Sequence, residues 1–85
     1  MEFPLFPLNK RAEENSLHQQ LNKVLEEATE ALNAYLDKED DVRIIEELLD
    51  TIHACEGALA KFDREQIGLM RVYVLVKNAA RGDYL

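Results

Sequence analysis

From Leu17 onward the chain places apolar residues every three or four positions. Leu17, Leu21, Val24, Ala28, Ala31 or Leu32, and Tyr35 fall on one helical face. They predict a first helix from about Glu13 to about Leu36. Asp37 to Asp41 is a short charged connection, of the kind that joins antiparallel neighbours. Ile45, Leu48, Leu49, Ile52, Cys55, Leu59 and Phe62 then mark a second helix, from about Val42 to about Phe62, with Asp40 or Asp41 as its cap. Gly57 lies inside it and costs about 1 kcal/mol relative to alanine. Close approach of another helix would offset that cost.

Asp63, with Gln66 three residues on, predicts the capped start of a third helix that runs to about Ala80. Its middle, Val72-Tyr73-Val74-Leu75-Val76, is apolar on every side and β-branched, which on propensity alone suits a strand. One strand in a helical chain has nothing to pair with, so a helix is expected, and an all-round apolar helix is usually buried. At the other end, Phe3-Pro4-Leu5-Phe6-Pro7-Leu8 is an apolar arm that its prolines keep extended. Met1 to Asn9 should pack across its own domain or a neighbouring subunit. The expected fold class is all-α: three main helices plus an extended N-terminal arm, in one domain.

Size and charge narrow the partners. A chain of 85 residues buries a thin core, and such chains are usually reinforced by disulfides, metals or oligomerisation. The single cysteine, Cys55, excludes an internal disulfide, and no Cys/His set has zinc spacing. Oligomerisation is left, and a hydrophobic fraction of 47% fits apolar surface that a partner covers. A net charge of −7 argues against nucleic acid or an anionic membrane as partner. No stretch approaches the roughly 18 apolar residues of a membrane span. The N-terminus lacks signal-peptide character, and the lone thiol is compatible with a reducing cytoplasm. An anionic ligand would need the local field reversed, most simply by a divalent cation.

The candidate chemistry lies in two acidic pairs. Glu27 and Glu30 are three apart in the first helix; Glu47 and Asp50 are three apart in the second. That spacing puts each pair on one helical face. The flanking apolar residues, Val24, Ala28 and Ala31 on one side and Leu48, Leu49 and Ile52 on the other, place the acids at the edge of the packed face. Antiparallel packing would let the pairs face each other. At about 5 Å and an effective dielectric near 20, each close pair of carboxylates costs roughly 3 kcal/mol. Either their pKa values rise or a cation binds. Oxygen-only ligands suit magnesium or manganese. Acidic helices also carry such spacings by chance, as solvated faces.

The pattern Glu26-Glu27-Ala28-Thr29-Glu30, a spacer, then Glu47-Leu48-Leu49-Asp50 resembles the signature of the MazG-like, all-α nucleoside-triphosphate pyrophosphohydrolases, a group that also holds the dimeric dUTPases. Leu25, Ala31 and Leu32 around the first motif, and the Lys77-Asn78-x-x-Arg81-Gly82 ending, are similar too. The resemblance spans roughly Leu17 to Leu85. It implies Glu27, Glu30, Glu47 and Asp50 as magnesium ligands and Glu26 as an accessory acid that binds a further metal or positions water. The implied reaction cleaves between the α- and β-phosphates of a nucleoside triphosphate, giving the monophosphate and pyrophosphate. It also implies a homodimer or tetramer in which helix pairs from two subunits form a four-helix bundle, with a neighbouring chain completing the nucleotide pocket.

Lys77 and Arg81 share a face beside Asn78 and could hold phosphate, base or sugar; the same residues complement a helix C-terminus. Lys23, one turn before Glu26 and Glu27, is a phosphate contact or a surface ion pair. His53, one turn after Asp50, and His18 read as surface residues, and Cys55 as core. Two other readings compete with a hydrolase: a non-catalytic helical interaction module, and a nucleotide- or metal-binding relative without turnover.

Overall fold

Every helix start carries a side chain that closes the open turn. In the computed structural model, which describes residues 4–85, four helices follow one another: α1 (Lys10–Glu14), α2 (Leu17–Leu36), α3 (Asp41–Leu59) and α4 (Arg64–Ala80). Asn9, Ser16, Asp40 and Asp63 are their N-caps. The chain is all-α, with no strand among the described residues, so Val72 to Val76 are helical. Met1 to Phe3, the start of the expected arm, lie outside the described residues.

The long first helix expected from about Glu13 is divided. Ser16 accepts a hydrogen bond from the Gln19 N–H at 3.1 Å, and the Gln19 side chain accepts one from the Ser16 N–H at 2.8 Å. This reciprocal capping box starts a new helix at Leu17 and leaves α1 as a separate turn. α3 ends at Leu59, three residues earlier than expected, in a turn closed by the Phe62 N–H on the Leu59 carbonyl. Between α2 and α3, Lys38 takes a left-handed φ of 59°, which reverses the chain within a few residues.

The buried seam corrects the expected packing. α2 packs along α3, and the residues buried between them include Gln20, Glu27, Ala31 and Ala34 from α2 and Glu47, Ala54 and Ala58 from α3. The leucine stripes face outward: Leu21, Leu25, Ile45 and Leu48 are all at least half exposed. The buried apolar residues among those described are alanines only, and no large side chain is fully buried. Small residues let two backbones approach closely, so this seam is narrow; Glu27 and Glu47 are inside it rather than at the edge, while Glu30 and Asp50 stay exposed beside it. α4 likewise departs from expectation, since none of its residues is buried.

α1 and the arm cover the far end of α3. A Cβ on Gly57 would lie 2.6 Å from the Ala12 Cβ, so glycine is what lets α1 seat there. Gln20 Nε2 donates to the Ala54 carbonyl at 3.0 Å, and Asn15 Nδ2 to Gln20 Oε1 at 3.0 Å. The buried Glu56 carboxylate accepts the Leu5 N–H and, at 2.9 Å, the Phe6 N–H. The Phe6 ring stacks on His53 at 4.7 Å, and His53 Nε2 lies 3.2 Å from the Pro7 carbonyl oxygen. The described part of the arm therefore packs on its own domain, and His53 is an arm contact rather than a free surface residue.

Candidate metal centre

The narrow seam brings the two acidic motifs together. One carboxylate oxygen from each of Glu27, Glu47 and Asp50 lies within 4.8 Å of the others, and Glu26, Glu27 and Glu30 form a second such group. Glu27 belongs to both. Octahedral magnesium with ligands at about 2.1 Å sets opposite oxygens about 4.2 Å apart, within reach of small side-chain rotations.

Glu47 is the most constrained of these acids. It is 2% exposed. Its Oε1 accepts from Arg43 at 2.7 Å, while its Oε2 is buried with no hydrogen-bond partner. A buried carboxylate oxygen left unpaired costs several kcal/mol unless a proton or cation reaches it. Glu27, also buried, holds Lys23 at 2.9 Å through one oxygen, and Lys23 reaches Glu26 at 3.7 Å. This pair makes Lys23 an ion-pair partner of the site, and its hydrogen bond to Glu27 raises the ammonium pKa. Each buried acid thus has one oxygen neutralised by a cation on its own helix, four residues away. An oxygen-only donor set with an orphaned buried oxygen fits a hard divalent cation.

The Glu30 carboxyl is held above its ordinary range, first by the negative charge of Glu27 and then by the hydrogen bond that its protonated form makes with the Glu47 carboxylate. The folded chain therefore keeps this proton to a higher pH than the unfolded chain. Stability from it is complete below the ordinary glutamate value of 4.5 and is lost as pH rises through the raised folded value. In a chelator, the urea midpoint of the wild type should fall more steeply above pH 4.5 than that of Glu30→Gln; parallel curves would contradict the coupling.

A cleft of about 600 Å³ opens beside the acids. Lys23, Glu27 and Asp50 line it, with Asn9, Arg11, Asn15 and His53. The expected cations Lys77 and Arg81 do not line it. Lys77 sits 6.0 Å over the Tyr73 ring, Arg81 pairs with Asp83 at 3.5 Å, and half-buried Asn78 shares their end of α4. Arg81 caps α4 and Gly82 follows with a φ of 77°, so this ending does stop the helix. Cys55 is half-buried, and burial pushes its thiol pKa up. His18 is exposed.

Sequence reasoning missed Arg43 and Gln20. Arg43 lies four residues before Glu47, a spacing that favours an ion pair and could have revealed it. Gln20, Val24, Glu27, Ala31 and Ala34 run at strict helical intervals, but polar members hid this seam behind the more apolar stripe. No family model, curated protein or solved structure matches the chain.

Proposed function

We propose that the chain is a magnesium-dependent nucleoside-triphosphate pyrophosphohydrolase of the MazG-like kind. The observation that carries the metal part of this reading is the buried, unpartnered Oε2 of Glu47, on a carboxylate with an oxygen within 4.8 Å of Glu27 and Asp50 oxygens. Glu27, Glu30, Glu47 and Asp50 would hold the ion. Bound magnesium or manganese would neutralise phosphate oxygens and lower the pKa of a water. Glu26, exposed next to Glu27 and grouped with Glu27 and Glu30, would accept a proton from that water. Lys23 presents its ammonium to the same cleft, where triphosphate oxygens could exchange for its contact with Glu27. The cleft volume lies in the range of small-molecule sites, and Asn9, Asn15 and Arg11 offer donors for a base or sugar. Lys77, Asn78 and Arg81 would take part only from a second copy. The enzyme so proposed would work in the cytoplasm, where a free thiol such as Cys55 stays reduced.

The test is pyrophosphate release from a panel of canonical and damaged nucleoside triphosphates with magnesium. Turnover of at least one, lost in chelator, is expected. Absence of turnover for all of them would remove the enzymatic reading. A rise in melting temperature with magnesium, at constant ionic strength, would then leave a metal-binding protein without turnover.

A further inference from the structure

One face of α3 carries first an acid of the metal site and then the seat of the arm. Asp50, His53 and Glu56 are three residues apart, so they follow one another along that face. Asp50 and His53 line the cleft. His53 also holds the arm. The Pro7 carbonyl can only accept, so His53 Nε2 donates to it, at 3.2 Å. The Phe6 ring stacks on the same imidazole.

Glu56 closes the other end of this seat. It is buried, and no cation pairs with it among the described residues. Its carboxylate instead accepts the Leu5 N–H and, at 2.9 Å, the Phe6 N–H. A buried charge must be satisfied, and here the arm's backbone does it. Bonds to an ionised acceptor are also the stronger kind. Glu56 thus acts as a latch.

From Leu5 to Asn15 the chain is one strap. Ala12 seats on Gly57. At the far end the Asn15 carbonyl accepts from Lys61, and the Asn15 side chain donates to Gln20. Between these fixed points Arg11 lines the cleft. The full cations of the cleft are Arg11 and Lys23. Lys23 is paired with Glu27 and Glu26; Arg11 pairs with no acid among the described residues. Its donors could serve a base or sugar, but its unpaired charge suits an anion better. A triphosphate bound to one divalent ion keeps net negative charge, and a guanidinium away from the metal would complement it.

We propose that the strap is part of the substrate site: Arg11 is a second phosphate anchor beside the metal, and Glu56, through its grip on Leu5 and Phe6, is the positioning residue that holds Arg11 at the cleft. The proposal rests on the hydrolase reading and adds residues to its site. Strap docking and ligand binding then favour each other by the same factor.

The probe is tripolyphosphate with magnesium, which carries the phosphates and no base. Hydrogen exchange of the Phe6 amide reads strap docking. With the probe about tenfold above its dissociation constant, protection of that amide should rise by about tenfold. Arg11→Gln should weaken probe binding by at least about tenfold, and Arg11→Lys by less. Leu5→Pro takes one N–H from Glu56 without touching the hairpin, and Glu56→Ala takes the latch itself. In each, probe affinity should fall by the factor by which the docked fraction falls. The rise in melting temperature with magnesium alone should persist in all four variants. Full probe affinity in Arg11→Gln would overturn the anchor. An undocked strap with full affinity, or a bound probe that leaves Phe6 exchange unchanged, would overturn the latch. So would loss of the magnesium response in Leu5→Pro, which would make the strap a support of the metal centre. No magnesium response in the wild type would remove the hydrolase reading and this inference together. Probe binding as described, with no nucleotide turned over, would remove the hydrolase reading and leave the strap as a polyphosphate site.

Discussion

Glu47→Gln should abolish the response to magnesium without weakening the metal-free protein. The wild type, at magnesium about a hundredfold above its dissociation constant, gains about 2.7 kcal/mol; the variant should gain none. Turnover should fall by at least about 10²-fold. The stability half follows from the site. Wild-type Glu47 buries a charged oxygen with no partner, and the amide removes that charge. Its Oε1 can still accept from Arg43, losing about 1 kcal/mol of charge assistance. Its new N–H groups can donate to Glu27 or Asp50, whose oxygens lie within 4.8 Å. The melting temperature in chelator should therefore be unchanged or higher. A variant that melts well below the wild type in chelator, yet is still stabilised by magnesium, would make Glu47 a structural acid.

Gly57→Ala should destabilise the fold, against the usual rule that alanine favours helices. The propensity gain is about 1 kcal/mol. The new Cβ would lie 2.6 Å from the Ala12 Cβ and 3.0 Å from Gln20 Nε2. Ala12 is 3% exposed, so α1 must move as a whole. Overpacking of this kind costs about 1–3 kcal/mol, and in a chain of this size each kcal/mol lowers the melting temperature by about 4–8 °C. α1 carries Arg11, which lines the cleft, so substrate affinity should fall with stability. Calorimetry of Gly57→Ala beside Ala12→Gly/Gly57→Ala checks the cause: the double variant should recover most of the loss. If Gly57→Ala alone is stabilising, α1 does not seat on that glycine.

Local signals in the sequence were strong. Helical periodicity, Asp40 and Asp63 as caps, and Gly57 as a point of close approach were all legible, because each depends on near neighbours or on one missing side chain. The acidic motifs were legible as pairs for the same reason. What periodicity could not give was which face turns inward. The larger apolar stripe was the natural candidate, but within one chain the seam goes to Ala31, Ala34, Ala54 and Ala58, with Glu27 and Glu47 among them. Burial of α4 failed for a related reason, since its apolar surface finds no cover in a single chain. The break at Ser16 was written in Ser16 and Gln19, yet the apolar rhythm on either side masked it. Lys77 and Arg81 show the limit of a linear motif. Helical spacing places them beside each other but not beside acids in other helices.

The anchoring of the arm by Glu56 fixes an order of events during synthesis. Glu27 and Glu47 are twenty residues apart and meet through a turn of a few residues, so their hairpin can close soon after it emerges. The arm's contacts are of the opposite kind, with Leu5 and Glu56 separated by 51 positions. At about 5–20 residues per second, several seconds pass between them. For that interval Leu5, Phe6 and Leu8 have no docking place, and a chaperone that reads short apolar segments would meet them first.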